Sequence, residues 1–140
     1  MPLKLSAAEV SFFVHATEDE ERLLETVAKS LGVRKELFKQ SRMTGHFNNP
    51  ITHWSAFIRG EEATRFAEAL VRGLSQADRS LLRSDLSSHA DEHGCLYLRL
   101  DKQTLFSDRV ELGQSDPVRV KLRPVSRWRK TSASEFEEIL

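Results

Sequence analysis

The chain has 140 residues with 21 basic and 21 acidic side chains, so it is formally neutral, and only a local concentration of charge can argue for an anionic partner. A hydrophobic share of 39% with 30% charged residues excludes a disordered chain and suits one globular domain. One cysteine, Cys95, excludes an internal disulfide and a cysteine-rich metal site. The longest apolar runs, VSFFV and SAFI, fall far short of the roughly 20 residues that span a bilayer. MPLKLSAAEV carries no convincing cleavage signal, so a cytoplasmic protein without a membrane partner is expected.

In chain order, EVSFFVHA (9–16) is expected as a strand from its β-branched and aromatic content. Thr17 and Glu20 form a capping-box pattern, and Leu23, Leu24, Val27, Ala28 and Leu31 then recur at helical spacing before the stop at Gly32. LFKQSRMT reads either as a weak strand or as an irregular segment. GHFNNP (45–50) is a loop, because Gly45 and Asn48-Asn49 tolerate unusual backbone angles and Pro50 biases Asn49 toward extended geometry. ITHWSAFIRG is a strand. EEATRFAEALVRG is a helix that puts Ala63, Phe66, Ala67, Leu70 and Val71 on one face. Ser75 caps a second helix through QADRSLLRS. DEHG (91–94) is a turn before the strand CLYLRL, and RVELG and VRVKLRPV are expected as two further strands. The order predicts an α+β class: a two-layer sandwich with helices on one face of an antiparallel sheet. Residues 1–130 form one domain, followed by 131–140 as an acidic tail or short helix.

Alternation sorts the faces of the later strands. Leu96, Leu98, Leu100, Val118, Val120 and Leu122 point inward. Cys95, Tyr97, Arg99, Arg119, Lys121 and Arg123 point to the open side, and RWRK (127–130) adds cations around Trp128. Over 95–130 there are nine basic residues against four acidic ones. A cationic sheet face with embedded rings suits RNA, since cations neutralise phosphates and rings stack on unpaired bases. The plainer alternative is a solvated strand surface that uses charge to resist aggregation.

Catalytic and metal patterns are weaker. HADEH (89–93) matches the H-x-x-E-H zinc spacing, but Gly94 and a strand follow at once and no third ligand is evident. His46, His53 and Asp101 would be the residues of a small metal-dependent nuclease or hydrolase. Neither a nucleophile nor a phosphate loop accompanies them, so no catalytic residue, metal or cofactor is assigned.

FVHATEDEERLLE, GHFNNPI and GCLYLRLDKQTLF followed by GQSDPVRVKLRP together resemble the archaeal RNA-binding family of predicted exosome subunits, in the right order from about Val10 to Pro124. The resemblance implies a fold similar to that of the large-ribosomal-subunit protein five. It also implies a role in RNA processing or degradation, with the exosome as a partner, and no established catalytic residues. The chain departs from the family in having Asn48 where glycine is usual, and Thr104-Leu105 where small residues follow Asp-Lys-Gln.

The expected reading is a non-catalytic RNA-binding domain. Arg99, Lys102, Arg119, Lys121 and Arg123 would hold phosphates, and Tyr97 or Trp128 would stack. Gln103 would bond a base edge or ribose, and His46 and Asn49 would contact the RNA from their loop. Asp101 would end the strand by accepting backbone hydrogen bonds. The first alternative is a structural adaptor using the same face on a protein partner, and an exposed sheet of this kind could also form a homodimer.

Overall fold

The computed structural model describes residues 3–45, 48–125 and 133–140. Its elements run β1 (Leu5–His15), α1 (Glu20–Leu31), β2 (Phe38–Thr44), β3 (Pro50–Arg59), α2 (Gly60–Gly73), α3 (Gln76–Ser84), β4 (Leu96–Leu100), α4 (Lys102–Leu105) and β5 (Val118–Pro124). The five strands form one sheet in the order β2-β3-β1-β5-β4, with every neighbouring pair antiparallel. The fold is α+β, as expected.

Alternation decides the layers. Val10, Phe12 and Val14 of β1 are buried, as are Leu96, Leu98 and Leu100 of β4 and Val118, Val120 and Leu122 of β5. They meet Leu23, Leu24 and Val27 of α1 and Ala63, Phe66, Ala67 and Leu70 of α2 in one core. α2 is tied to the sheet by the Leu5 N–H, which donates to Thr64 Oγ1 at 2.9 Å.

Helix ends follow local chemistry, with one correction. The first helix is capped by Asp19, whose side chain accepts from Arg22 N–H at 3.2 Å, and not by Thr17. A turn closed by Glu18 N–H on the His15 carbonyl takes up Thr17 before the helix starts. Gly32 adopts φ +66° at the C-cap, the left-handed geometry expected of a glycine stop. Ser75 caps α3 by accepting from Asp78 N–H at 3.1 Å.

Two later expectations change. RVELG does not form a strand: Leu112 makes only an isolated bridge to Leu100, and its N–H donates to Asp78 Oδ2 of α3 at 3.1 Å. That N–H faces away from β4, and the segment's bonds to β4 stop at Asp101 N–H on the Glu111 carbonyl at 2.8 Å and Gly113 N–H on the Arg99 carbonyl at 2.9 Å. Cys95, expected on the open face, lies in the turn ahead of β4 and is buried. At the end of the chain, where a tail or a short helix was expected, Ala133–Glu138 forms a short 3-10 helix, and Phe136 and Leu140 are buried in the core. No helix among the described residues is long and apolar enough to cross a membrane.

Candidate nucleic-acid interface

Strand register assigns the face opposite the helices. Ala7, Glu9, Ser11 and Phe13 of β1 lie opposite Arg59, Phe57, Ser55 and His53 of β3. On the other flank, Arg123, Lys121 and Arg119 lie opposite Ala7, Glu9 and Ser11. Tyr97 and Arg99 pair with Lys121 and Arg119, and Lys39 pairs with Ser55. Side chains of paired residues share a face. Within the described strands the open face therefore carries six cations, Lys39, Arg59, Arg99, Arg119, Lys121 and Arg123, against a single acid, Glu9.

The sequence reading placed Arg99, Arg119, Lys121, Arg123 and Tyr97 on this face, and they are there. It missed Lys39 and Arg59, along with two exposed apolar side chains, Phe57 at 53% and Met43 at 49%. The alternation of Phe57 and Arg59 in AFIR could have revealed part of this. Lys39 needed the register of β2.

Electrostatically the face is unfinished. Arg99 and Arg119 are cross-strand partners, an arrangement in which like charges repel. None of Arg99, Arg119, Lys121 and Arg123 has a carboxylate within ion-pair distance among the described residues. A shallow cleft of about 270 Å3 runs beside the first three, lined by Glu9, Ser11, Tyr97, Arg99, Arg119 and Lys121.

Tyr97 is held firmly. Its hydroxyl donates to Asp91 Oδ2 at 2.8 Å, and Lys121 Nζ lies 5.5 Å from its ring centroid. That hydrogen bond pushes the Tyr97 phenol up, with burial adding to it. Asp91 also accepts from His93 N–H at 2.9 Å and Cys95 N–H at 3.0 Å. Burial works against ionisation of Asp91, but the donors from Cys95, Tyr97 and His93 together hold its carboxyl below the usual range. HADEH is thus a turn organised by Asp91, with His89 ending a 3-10 turn and His93 beyond it, not a helical zinc pair.

The Asp101-Lys102-Gln103 triplet splits three ways. Asp101 Oδ1 accepts from Gln103 N–H at 2.8 Å and Thr104 N–H at 3.2 Å, which ends the strand as expected and also caps α4, a short helix the sequence reading did not foresee. Gln103 is exposed. Lys102, expected at the surface on a phosphate, is instead 3% exposed. Its Nζ donates to the Phe13 carbonyl at 2.8 Å, Asp116 Oδ2 at 2.7 Å and Glu18 at 3.2 and 3.3 Å. Its charge is spent inside the fold, so the phosphate role does not suit it.

Around Lys102, His15, Glu18 and Asp116 bring three possible metal-ligand atoms within 4.8 Å of one another. The ammonium lies between the two carboxylates, where a cation would go, so the cluster is an internal ion network. His15 Nε2 completes it at 3.1 Å from Asp116 Oδ2. Burial raises the Asp116 pKa, but Lys102 and then His15 outweigh it and hold the carboxyl below its ordinary value.

The residues named for hydrolysis are not brought together. His53 of β3 packs against Phe13 with the rings tilted and their centroids 4.8 Å apart, while Asp101 follows β4. Three strand spacings separate β3 from β4, about 14 Å across the sheet. His46 and Trp128 lie outside the described residues. Asn49 is exposed, and its carbonyl accepts from Gly45 N–H at 2.8 Å. Asn48 takes φ +58°, a left-handed conformation that asparagine tolerates better than most side chains.

Comparison with known proteins agrees with this architecture. RNA-binding protein PAB1135 of Pyrococcus abyssi is 32% identical over 119 residues, covering 79% of this chain and 77% of that protein. The crystal structure of AF2318 from Archaeoglobus fulgidus, a DUF54 protein, superposes with a TM-score of 0.81 at 28% identity, covering 98% of this chain and 100% of the other. SSO0741 from Sulfolobus solfataricus shares the fold, with a TM-score of 0.77 at 24% identity over 95% and 93% of the two chains. The family described as RNA binding matches residues 7–123, and the chain belongs to it.

Proposed function

We propose that this protein binds RNA through the open face of its sheet, with Arg99, Arg119, Lys121 and Arg123 on phosphates and Tyr97 beside them. One observation carries the reading: four neighbouring cations, two of them directly opposed, have no carboxylate partner among the described residues. Such a face costs repulsion unless an anion meets it, and a phosphate backbone supplies anions at regular spacing. Phe57 and Tyr97 add rings for unpaired bases. Gln103 and Asn49 are exposed at one end of the sheet and extend the contact. The role is binding rather than catalysis, in RNA processing or degradation in the cytoplasm. The family resemblance supports the exosome as a partner.

The test is fluorescence anisotropy with labelled single-stranded and structured RNAs across a salt series. Four neutralised phosphates predict a log–log slope of about −3 on single strands. The folded triple variant Arg119→Glu/Lys121→Glu/Arg123→Glu should lose most of that slope. A wild-type protein that binds neither RNA at low salt would refute the proposal and turn attention to an acidic protein partner.

A further inference from the structure

The outer edge of β4 is covered at its two ends and open between them. Asp91 N–H donates to the Cys95 carbonyl at 3.1 Å before the strand, and Gly113 N–H donates to the Arg99 carbonyl at 2.9 Å near its end. A strand residue's N–H and carbonyl point to the same side, so the Arg99 N–H also faces outward, as does the Tyr97 carbonyl two residues earlier. Neither has a partner among the described residues. Unpaired backbone groups on a strand edge are open to a partner.

Tyr97 and Arg99 line a cleft of about 560 Å3 on this edge, with Leu81, Ser88, Ala90 and Gln114 among its other walls. That volume lies within the range of small-ligand sites. A carbonyl and an N–H two residues apart on one edge offer an acceptor beside a donor. The Watson–Crick edge of a nucleobase presents the complementary pair. Leu81 and Ala90 supply apolar wall for the faces of a ring, and Gln114 supplies a polar end, while the Ser88 hydroxyl donates to Asp85 at 2.7 Å. Tyr97 and Arg99 also line the cationic cleft of the open face, so the two recesses share one wall.

We infer that the cleft at the β4 edge takes one unpaired nucleobase, read through the Tyr97 carbonyl and the Arg99 N–H. This deepens the proposed RNA-binding function and rests on it. The phosphate track is the sheet face, and the base pocket is its rim.

The experiment compares a labelled adenylate decamer with a decamer of the same backbone lacking bases, by anisotropy over a salt series. Wild type should prefer the base-bearing strand about tenfold or more, the discrimination expected of a bidentate base contact. Ser88→Trp, which fills the cleft from an exposed position, should reduce that preference about fivefold or more, leaving only what stacking on the sheet-face rings supplies, with the phosphate-driven salt slope unchanged. Gln114→Trp, also exposed, carries the same test if thermal melting shows Ser88→Trp to be unfolded. If the folded variants keep the preference, or wild type shows none while keeping its salt slope, the base pocket is wrong and the sheet face stands. If wild type binds neither decamer, the RNA-binding proposal itself fails.

Discussion

Replacing Lys102 with Met keeps the alkyl stem and deletes the ammonium. The side chain is almost wholly buried, and its Nζ bonds the Phe13 carbonyl, Glu18 and Asp116. Removing one partner of a buried ion pair costs about 3–5 kcal/mol, because the remaining charge is left uncompensated. Here Glu18 and Asp116 keep 23% and 39% of their side-chain surface in water, which relieves part of that cost. The Phe13 carbonyl also loses its donor, worth about 1 kcal/mol. The expected loss is about 2–4 kcal/mol, read as a lower urea midpoint with an unchanged m-value by tryptophan fluorescence. In an Asp116→Asn background the same substitution should cost about 1 kcal/mol less, because the two side chains are coupled. RNA affinity of the folded fraction and its salt slope should not change. A stability loss below about 0.5 kcal/mol together with a large drop in RNA affinity would refute the reasoning and put Lys102 on a phosphate.

Acid should weaken the same network: a carboxyl held below 3.8 stabilises the fold fully above that value, and Asp116 loses its contribution as pH falls through its lower folded-state pKa. Urea unfolding between pH 5 and pH 2.5 should show this decline, and Asp116→Asn should flatten it (roughly this window follows from the direction of the shift). Gly113→Ala should destabilise by about 1–3 kcal/mol in thermal melts, since its added Cβ would lie 2.8 Å from Asp101 Cα and 3.0 Å from Asp101 N. An unchanged melting temperature would mean that the 111–113 segment does not lie against β4. Asp101→Ala removes the cap of α4 and should cost about 1 kcal/mol in the same melts, with a larger share of the loss in the 101–108 segment by hydrogen exchange.

Local signals carried most of the helical layer. The faces of α1 and α2, the Ser75 cap and the Gly32 stop each depend on residues a few positions apart, so they could be read directly. The faces of β4 and β5 were equally legible, because both strands alternate cleanly between core and solvent. β2 was not: only Phe38 is buried, so an exposed edge strand leaves no alternation to detect. RVELG reads as a strand, yet it meets β4 at a single bridge, and Leu112 is tied on its other side to Asp78, more than thirty residues earlier. Lys102 was misplaced for a related reason. Its partners come from residues 13, 18 and 116, and a buried cation beside exposed neighbours has no signature of its own in the sequence.

The order β2-β3-β1-β5-β4 has a consequence for synthesis. The first strand made is the central one, yet its second neighbour, β5, begins only at Val118. Until then the growing chain can form β2-β3-β1, with one edge of β1 unpaired and its core side apolar. Non-local pairing of this kind slows folding and leaves a template for mispairing while it waits. A chain truncated before Val118 would lose the strand that joins β4 to the rest, so the sheet would divide rather than merely shorten at its rim.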